Sequence, residues 1–426
     1  MIDSIVKHVD AARLEQRLAK LYELGHEPGH RGAMRLAFSA ADRRGRDYVL
    51  DLMRQAGISP RIDQVGNLIG VLRGSKPKAA SLILGSHLDT VPQGGKFDGA
   101  LGVLGGLEVV EAMQAAGYEP AHPIEVIAFS NEEKARFTTG FGGSLAMVCG
   151  IKPEDLEGVV DGRGVTLVEA MKSCGLDPEL VSKARRPSGF CRAYLELHVE
   201  QGGRMLKSGE QVGVVTAIVG ISRAHLTFKG RANHAGTTMM EDRSDALWAA
   251  AEMVRKVREA AVASQGGLVG TVGILRVLPG AANVVPGEAS LTIELRSADE
   301  ALKSQTLDDL LTQAGSLAER WHLELTSSVN RPGGSVPLDQ TVQSTIAESA
   351  QELGIPHRRI HSWAGHDASV FAPVAPTGML FVPSQAGISH SPDEYTHQED
   401  VLAGVRVLAA TVARLDRLYA GGTVAD

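Results

Sequence analysis

The chain has 426 residues, more than one ordinary hydrophobic core accommodates, so two domains are expected. Its 43% hydrophobic and 22% charged content is that of a globular protein, not of a disordered or membrane-embedded one. A net charge of -7 with no basic block argues against a nucleic-acid partner, and no apolar run approaches the length of a membrane span.

In chain order, helical periodicity comes first, in a segment that mixes acids and bases and lacks the basic start and apolar stretch of a signal peptide. Ala41–Met53 reads as a second helix, with Val49, Leu50, Leu52 and Met53 turned inward. Strands are expected at Arg61–Gln64 and Gly66–Leu72. The apolar run Leu82-Ile83-Leu84 ends near His87, and Asp89 follows two residues on. A glycine-rich loop then brings Asp98 back towards them, and a long helix, Gly99–Ala116, begins directly after it. Gly99, Gly102, Gly105 and Gly106 mark close helix–sheet packing. A dinucleotide loop would need G-x-G-x-x-G, which is absent. Strand Ile124–Phe129 delivers Glu132 and Glu133, and AYLELHVEQGG puts His198 at another strand end. The repeat of strand, loop, helix and strand as far as Val212 suggests a largely parallel sheet covered by helices.

The pattern changes after Gly213. Strand Ala224–Lys229, helix Ser244–Ala263, strands Leu268–Val277 and Ala289–Arg296, helix Asp299–Trp321 and strand His322–Ser328 follow a β-α-β-β-α-β order, the ferredoxin-like unit. Near Arg331-Pro332-Gly333-Gly334 the chain returns to the first domain and adds two helices and a strand, Met379–Val382, before the loop that carries His390. The expected architecture is α/β: residues 1–212 with 331–426 form a metal-binding catalytic domain, and 213–330 form an inserted α+β domain. Cys149, Cys174 and Cys191 are odd in number, far apart and without a C-x-x-C pair, which fits a reducing compartment, so a cytoplasmic location is expected.

His87, Asp98, Glu133, His198 and His390 together make a ligand set for two divalent ions. Each lies where a strand gives way to a loop, where chemistry in open α/β sheets gathers. A two-ion site needs one carboxylate that spans both ions, and Asp98, behind the flexible Gly94-Gly95 pair, suits that place. His87 and His198 then complete one ion, Glu133 and His390 the other. Asp89 is placed to accept the second N–H of the His87 imidazole and fix its tautomer. Glu132 points away from Glu133 in an extended segment and is the natural general base for a metal-activated water. Mixed histidine and carboxylate ligands suit zinc, manganese, cobalt or nickel, with no thiolate to force zinc.

GSHLDTVPQGGKFDGALGVLGGLEV, FSNEEKARF, LELHVEQGG, GRANHAGTT, GAANVVPG, IELRS, AGHDA and SHSPDEYT occur in this order between about Arg35 and Gly404. Together they resemble the amidase, hydantoinase/carbamoylase family, a branch of the dinuclear-metal aminoacylase and carboxypeptidase superfamily. That family contains N-carbamoyl-L-amino-acid hydrolases, β-ureidopropionases and allantoate amidohydrolases. The resemblance implies a metal-bearing α/β domain with an inserted ferredoxin-like lid that dimerises, and it implies hydrolysis of a linear amide bond in a small ureido acid. It assigns the five ligands as above, with Glu132 as base. His234 resembles the histidine that polarises the scissile carbonyl from the partner subunit. Asn283 and Arg296 resemble the pair that grips the substrate carboxylate, and Gln201 resembles a substrate-amide contact. The alternative is an aminoacylase or dipeptidase on N-acyl amino acids or peptides; His198 favours the carbamoylase branch, since many peptidase relatives carry a carboxylate there. Two positions depart from the family pattern. Lys134 stands where glycine is usual, and Ser362-Trp363 precedes AGHDA where small residues are usual. Trp363 is either a pocket wall or buried packing. His366 and Asp367 fit a supporting role better than ligation.

Overall fold

In the computed structural model, which describes residues 1–138 and 142–421, the chain divides into two compact units. One joins Met1–Thr216 to Pro337–Asp426, and the other is Ala217–Val336. Strand Val212–Ile218 is why the second unit begins after Gly213. It still pairs with the first unit's sheet, Gly213 opposite Phe381 and Val214 opposite Leu380.

Four parallel strands make the centre of that sheet, in the order Ile124–Phe129, Ser81–His87, Cys191–Val199, Thr377–Val382. Leu68–Leu72 and Ser59–Ile62 extend it antiparallel on one side. Strand Ser81–His87 and strand Ile124–Phe129 are buried at every residue, the pattern of strands covered on both faces. The helix Ala100–Ala115 lies beneath them and is buried nearly all round. A Cβ at Gly102 would come within 2.5 Å of the Leu197 carbonyl oxygen and 2.6 Å of the Ser86 Cβ, so only glycine lets this helix sit so close. Helices Gln340–Glu352 and Gln398–Ala420 join the same core through Val342, Ile346, Val405, Leu408 and Val412.

The first strand is Ser59–Ile62, not Arg61–Gln64. The Asp63 carboxylate accepts the backbone N–H groups of Val65 and Asn67, and that turn ends the strand. Strand His357–Ser362 and the short helix Ala368–Phe371 were not legible in the sequence, the former because HRRIHS buries only Ile360 and Ser362.

The second unit has an antiparallel sheet in the order Glu324–Gly333, Gly220–Lys229, Glu288–Ser297, Val269–Leu278. With helices Ala246–Ala263 and Glu300–Arg320 this is a β-α-β-β-α-β unit. Strand Glu288–Ser297 alternates perfectly: Ala289, Leu291, Ile293 and Leu295 face a separate core with Phe228, Met253 and Leu310. Among the described residues no helix is long and apolar enough to cross a membrane.

Candidate active site

Parallel strands deliver their carboxyl ends to one edge, and that is where the ligand candidates meet. His87 closes strand Ser81–His87, His198 is the penultimate residue of strand Cys191–Val199, and Glu132 and Glu133 follow strand Ile124–Phe129 by a short turn. Asp98 stands at their centre. Its Oδ1 lies 3.2 Å from His198 Nε2 and 3.4 Å from His87 Nε2. Its Oδ2 lies 3.3 Å from His390 Nε2, which is 3.6 Å from Glu133 Oε2. Two overlapping ligand sets result, His87–Asp98–His198 and Asp98–Glu133–His390, and each keeps its ligand atoms within 4.8 Å of one another. Glu132 Oε2 is 3.9 Å from His87 Nε2, beside the first set.

The imidazoles are aimed from behind. His87 Nδ1 lies 3.0 Å from the backbone carbonyl of Asp89, and His198 Nδ1 3.0 Å from that of Val199. Each Nε2 is thereby left facing inward. This corrects the expected role of Asp89: its carboxylate is 3.9 Å from His87 Nδ1, too far for the tautomer-fixing bond. It accepts instead the backbone N–H groups of Glu132 and Glu133, both at 3.1 Å, and so holds the turn that carries them.

Charge in the site follows from burial and crowding. Burial resists the charge on Asp98, but hydrogen bonds with His198, His390 and His87 outweigh it and hold the carboxyl well below its ordinary range. Burial also opposes a charged His198, yet its bond to Asp98 lifts it to about 9, and the same partner lifts His390 to about 9. Burial first, and then the Asp98 charge, push Glu133 up to about 8. Burial raises Glu132 too, with His87 opposing and Asp89 and Asp98 adding to it. Histidines and carboxyls crowded this closely suit a metal ion that takes the place of their protons. The donor set, with inward Nε2 atoms and a carboxylate divided between two sets, fits divalent metal ions.

Gln201 is drawn into the same cluster. Its Nε2 donates to Asp98 Oδ2 at 2.8 Å, while its Oε1 is buried with no hydrogen-bond partner among the described residues. Asn131, Lys134, Gln201 and His390 all have positive φ, between 51° and 57°. Such concentrations of unfavourable backbone occur at functional sites. They also explain why glycine is natural where Lys134 stands.

Sequence reasoning missed most of the layer behind the candidate ligands. Glu394 accepts the backbone N–H groups of Phe97 and Asp98 and the Ser389 hydroxyl. Glu196, which burial pushes up to about 7, accepts from Ala368 N, Tyr194 and Ser86. His366 packs edge-on to His198 and bonds Ser362, as a supporting residue does. Fully buried Arg35 donates to the Leu88 carbonyl and braces the loop between His87 and Asp89. His366 was expected from AGHDA, and Glu394 was findable, four residues past His390 in SHSPDEYT; Glu196 and Arg35 carried no local signal. Trp363 is half-buried, with the Arg204 guanidinium 4.3 Å over its ring.

The remaining candidates lie in the second unit. His234 and Asn283 share a two-stranded ribbon, where Val284 pairs with His234 and the Asn283 carbonyl accepts the Ala235 N–H. Both are exposed, and His234 Nδ1 accepts the N–H of Gly236 at 3.0 Å. Arg296 stands on the four-stranded sheet, on the face away from the helices, where Glu294 Oε1 takes its Nε at 2.9 Å.

Residues 83–414 match the model of peptidase family M20/M25/M40. An N-carbamoyl-L-amino acid amidohydrolase of Geobacillus stearothermophilus is 42% identical over 96% of this chain and 99% of its own length. An allantoate amidohydrolase of Escherichia coli is 34% identical, over 94% of this chain and 97% of its own. A solved amidase of the hydantoinase/carbamoylase family from Burkholderia multivorans superposes with a TM-score of 0.88, at 34% identity, over 96% of this chain and 98% of that one. The strand-end ligand sets and these full-length likenesses agree, and the chain belongs to the M20/M25/M40 peptidase family, within its hydantoinase/carbamoylase amidase branch.

Proposed function

We propose that the protein hydrolyses the linear amide C–N bond of a ureido acid, an N-carbamoyl-L-amino acid or an allantoate-type substrate. With a carbamoyl substrate, one water gives the free amino acid, carbon dioxide and ammonia. The observation that carries this reading is the Asp98 carboxylate divided between two ligand sets, with Glu132 beside His87 of the first. His87, Asp98 and His198 would hold one divalent ion, and Asp98, Glu133 and His390 the other, as zinc, manganese, cobalt or nickel. Bound there, such ions lower the pKa of water and polarise the scissile carbonyl. Glu132 takes the proton of the attacking water and returns it to the leaving nitrogen. Gln201 Oε1 accepts a substrate N–H.

The inserted unit supplies the rest. His234 donates to the developing oxyanion from the partner subunit, and Arg296 with Asn283 grips the substrate carboxylate. This makes the unit a lid and the protein a homodimer through it. In support, strand Val269–Leu278 is a sheet edge that exposes Ile274, Leu275 and Leu278, a surface that calls for cover. The free cysteines fit a cytoplasmic location.

The test is ammonia release from N-carbamoyl-L-amino acids, allantoate and N-acyl amino acids by manganese-loaded protein. Turnover of ureido acids is the expected result. Turnover confined to N-acyl amino acids or dipeptides would replace this reading with an aminoacylase.

A further inference from the structure

Glu394 brings a carboxylate into the site that neither ligand set uses. One of its oxygens accepts the backbone N–H of Phe97 at 2.9 Å and of Asp98 at 3.0 Å. The other accepts the Ser389 hydroxyl at 2.7 Å. Asp98 is the carboxylate common to both sets, and Ser389 immediately precedes His390. A single buried side chain thus ties the backbone of the shared ligand to the loop of one outer ligand. The fit has no slack, since a Cβ at Gly95 would overlap the Glu394 carboxyl group.

The two ligand sets depend on this tie unequally. His87 and His198 end neighbouring parallel strands, and each has its second ring nitrogen on a backbone carbonyl. His390 lies on a loop with positive φ, its side chain half exposed. Glu133 also lies beyond its strand. We propose that Glu394 is a positioning residue that sets the affinity of the ion held by Asp98, Glu133 and His390 relative to the ion held by His87, Asp98 and His198. This rests on the two-ion reading above.

The role is geometric. In Glu394→Gln the amide oxygen still accepts from Phe97 and Asp98. Its NH2 donates to Ser389 Oγ, whose proton then serves Asp98 Oδ2, 3.2 Å away. Glu394→Ala cuts the tie altogether, and Ser389→Ala cuts half of it.

The experiment titrates manganese into the metal-free wild type and into Glu394→Ala, Glu394→Gln and Ser389→Ala, following each binding step by calorimetry and the melting temperature of each metal-free protein. The wild type should show two steps. Glu394→Ala should weaken one step by about tenfold to a hundredfold, the usual effect of removing a support behind a ligand, and leave the other nearly unchanged. Ser389→Ala should shift the same step less, and Glu394→Gln should stay near the wild type. Equal weakening of both steps would show that Glu394 merely folds the Asp98 loop, and no change at either would show that it does nothing; both outcomes overturn the proposal. If Glu394→Ala does not fold, Ser389→Ala decides, and two unchanged steps, or equal weakening of both, overturn the proposal. A wild type that binds one ion fails differently: it rejects the two-ion reading, and this proposal with it.

Discussion

Asp89 holds Glu133 by its main chain, carboxylate oxygen to backbone N–H at 3.1 Å, and its other oxygen holds Glu132 in the same way. In Asp89→Asn one of those accepting oxygens becomes an NH2 that faces an N–H. A buried donor left without an acceptor costs about 1–3 kcal/mol, so the metal-free variant should be destabilised by that amount in denaturant unfolding. Turnover should fall with it. Unchanged stability would show that the turn stands without Asp89.

Glu132→Gln should keep both ligand sets and lose most turnover, by about 10²–10⁴-fold, the usual cost of a missing general base. Asp98→Ala removes the carboxylate common to the sets and should lose metal instead. Elemental analysis of the two purified variants separates the roles. Equal metal loss in both would make Glu132 a ligand.

Metal affinity should rise with pH. In the metal-free protein His198 and His390 titrate at about 9 and Glu133 at about 8, so all three are largely protonated at pH 7. A metal must displace those protons, so acid favours the empty site, and affinity should climb from pH 7 through 9. Binding at pH 7 should release about two protons or more, measured by calorimetry in buffers of different ionisation enthalpy. Binding without proton release would refute this.

Gly99→Ala should damage the site from behind. Gly99 has φ +64°, and a Cβ there would overlap the His87 ring. With ψ -47° this lies outside even the left-handed helical region, so backbone strain alone costs on the order of 1–3 kcal/mol, and the imidazole must also move. A lower melting temperature together with lost metal is expected. A variant that binds metal as the wild type does would show that the ring has room to shift.

Arg296→Ala should cut catalytic efficiency on carboxylated substrates by the equivalent of about 2–5 kcal/mol, while metal content stays intact. A carboxamide analogue, poor with the wild type, should lose little more. Equal losses on acid and amide would leave Arg296 as the partner of Glu294 and nothing else.

The candidate ligands His87, Glu133 and His198 drew notice because each stands at or just past a run of apolar residues, which a buried parallel strand leaves in any sequence; Asp98 and His390 lie further on, in loops. Helix Ala100–Ala115 was legible by length and by glycines that match its packing on Ser86 and Leu197. The partner of His87 was not. A backbone carbonyl and a carboxylate of the same residue, Asp89, compete for one imidazole nitrogen, and only the turn geometry decides between them. Glu196 was hidden for a related reason: one of its partners is the main-chain N–H of Ala368, far along the chain, which no side-chain pattern records. Strand His357–Ser362 escaped because a polar edge strand has no alternation to read.

Strand Thr377–Val382 lies between Cys191–Val199 and Val212–Ile218, two strands that are neighbours in the chain. During synthesis those two leave the ribosome long before the strand that belongs between them. The nascent sheet must therefore wait with a gap while the whole inserted unit is made, its edge amides open to any wrong partner. Translation arrested before Thr377 would yield a product with His87 and His198 in place and an unsealed sheet beside them, a species for chaperones to hold.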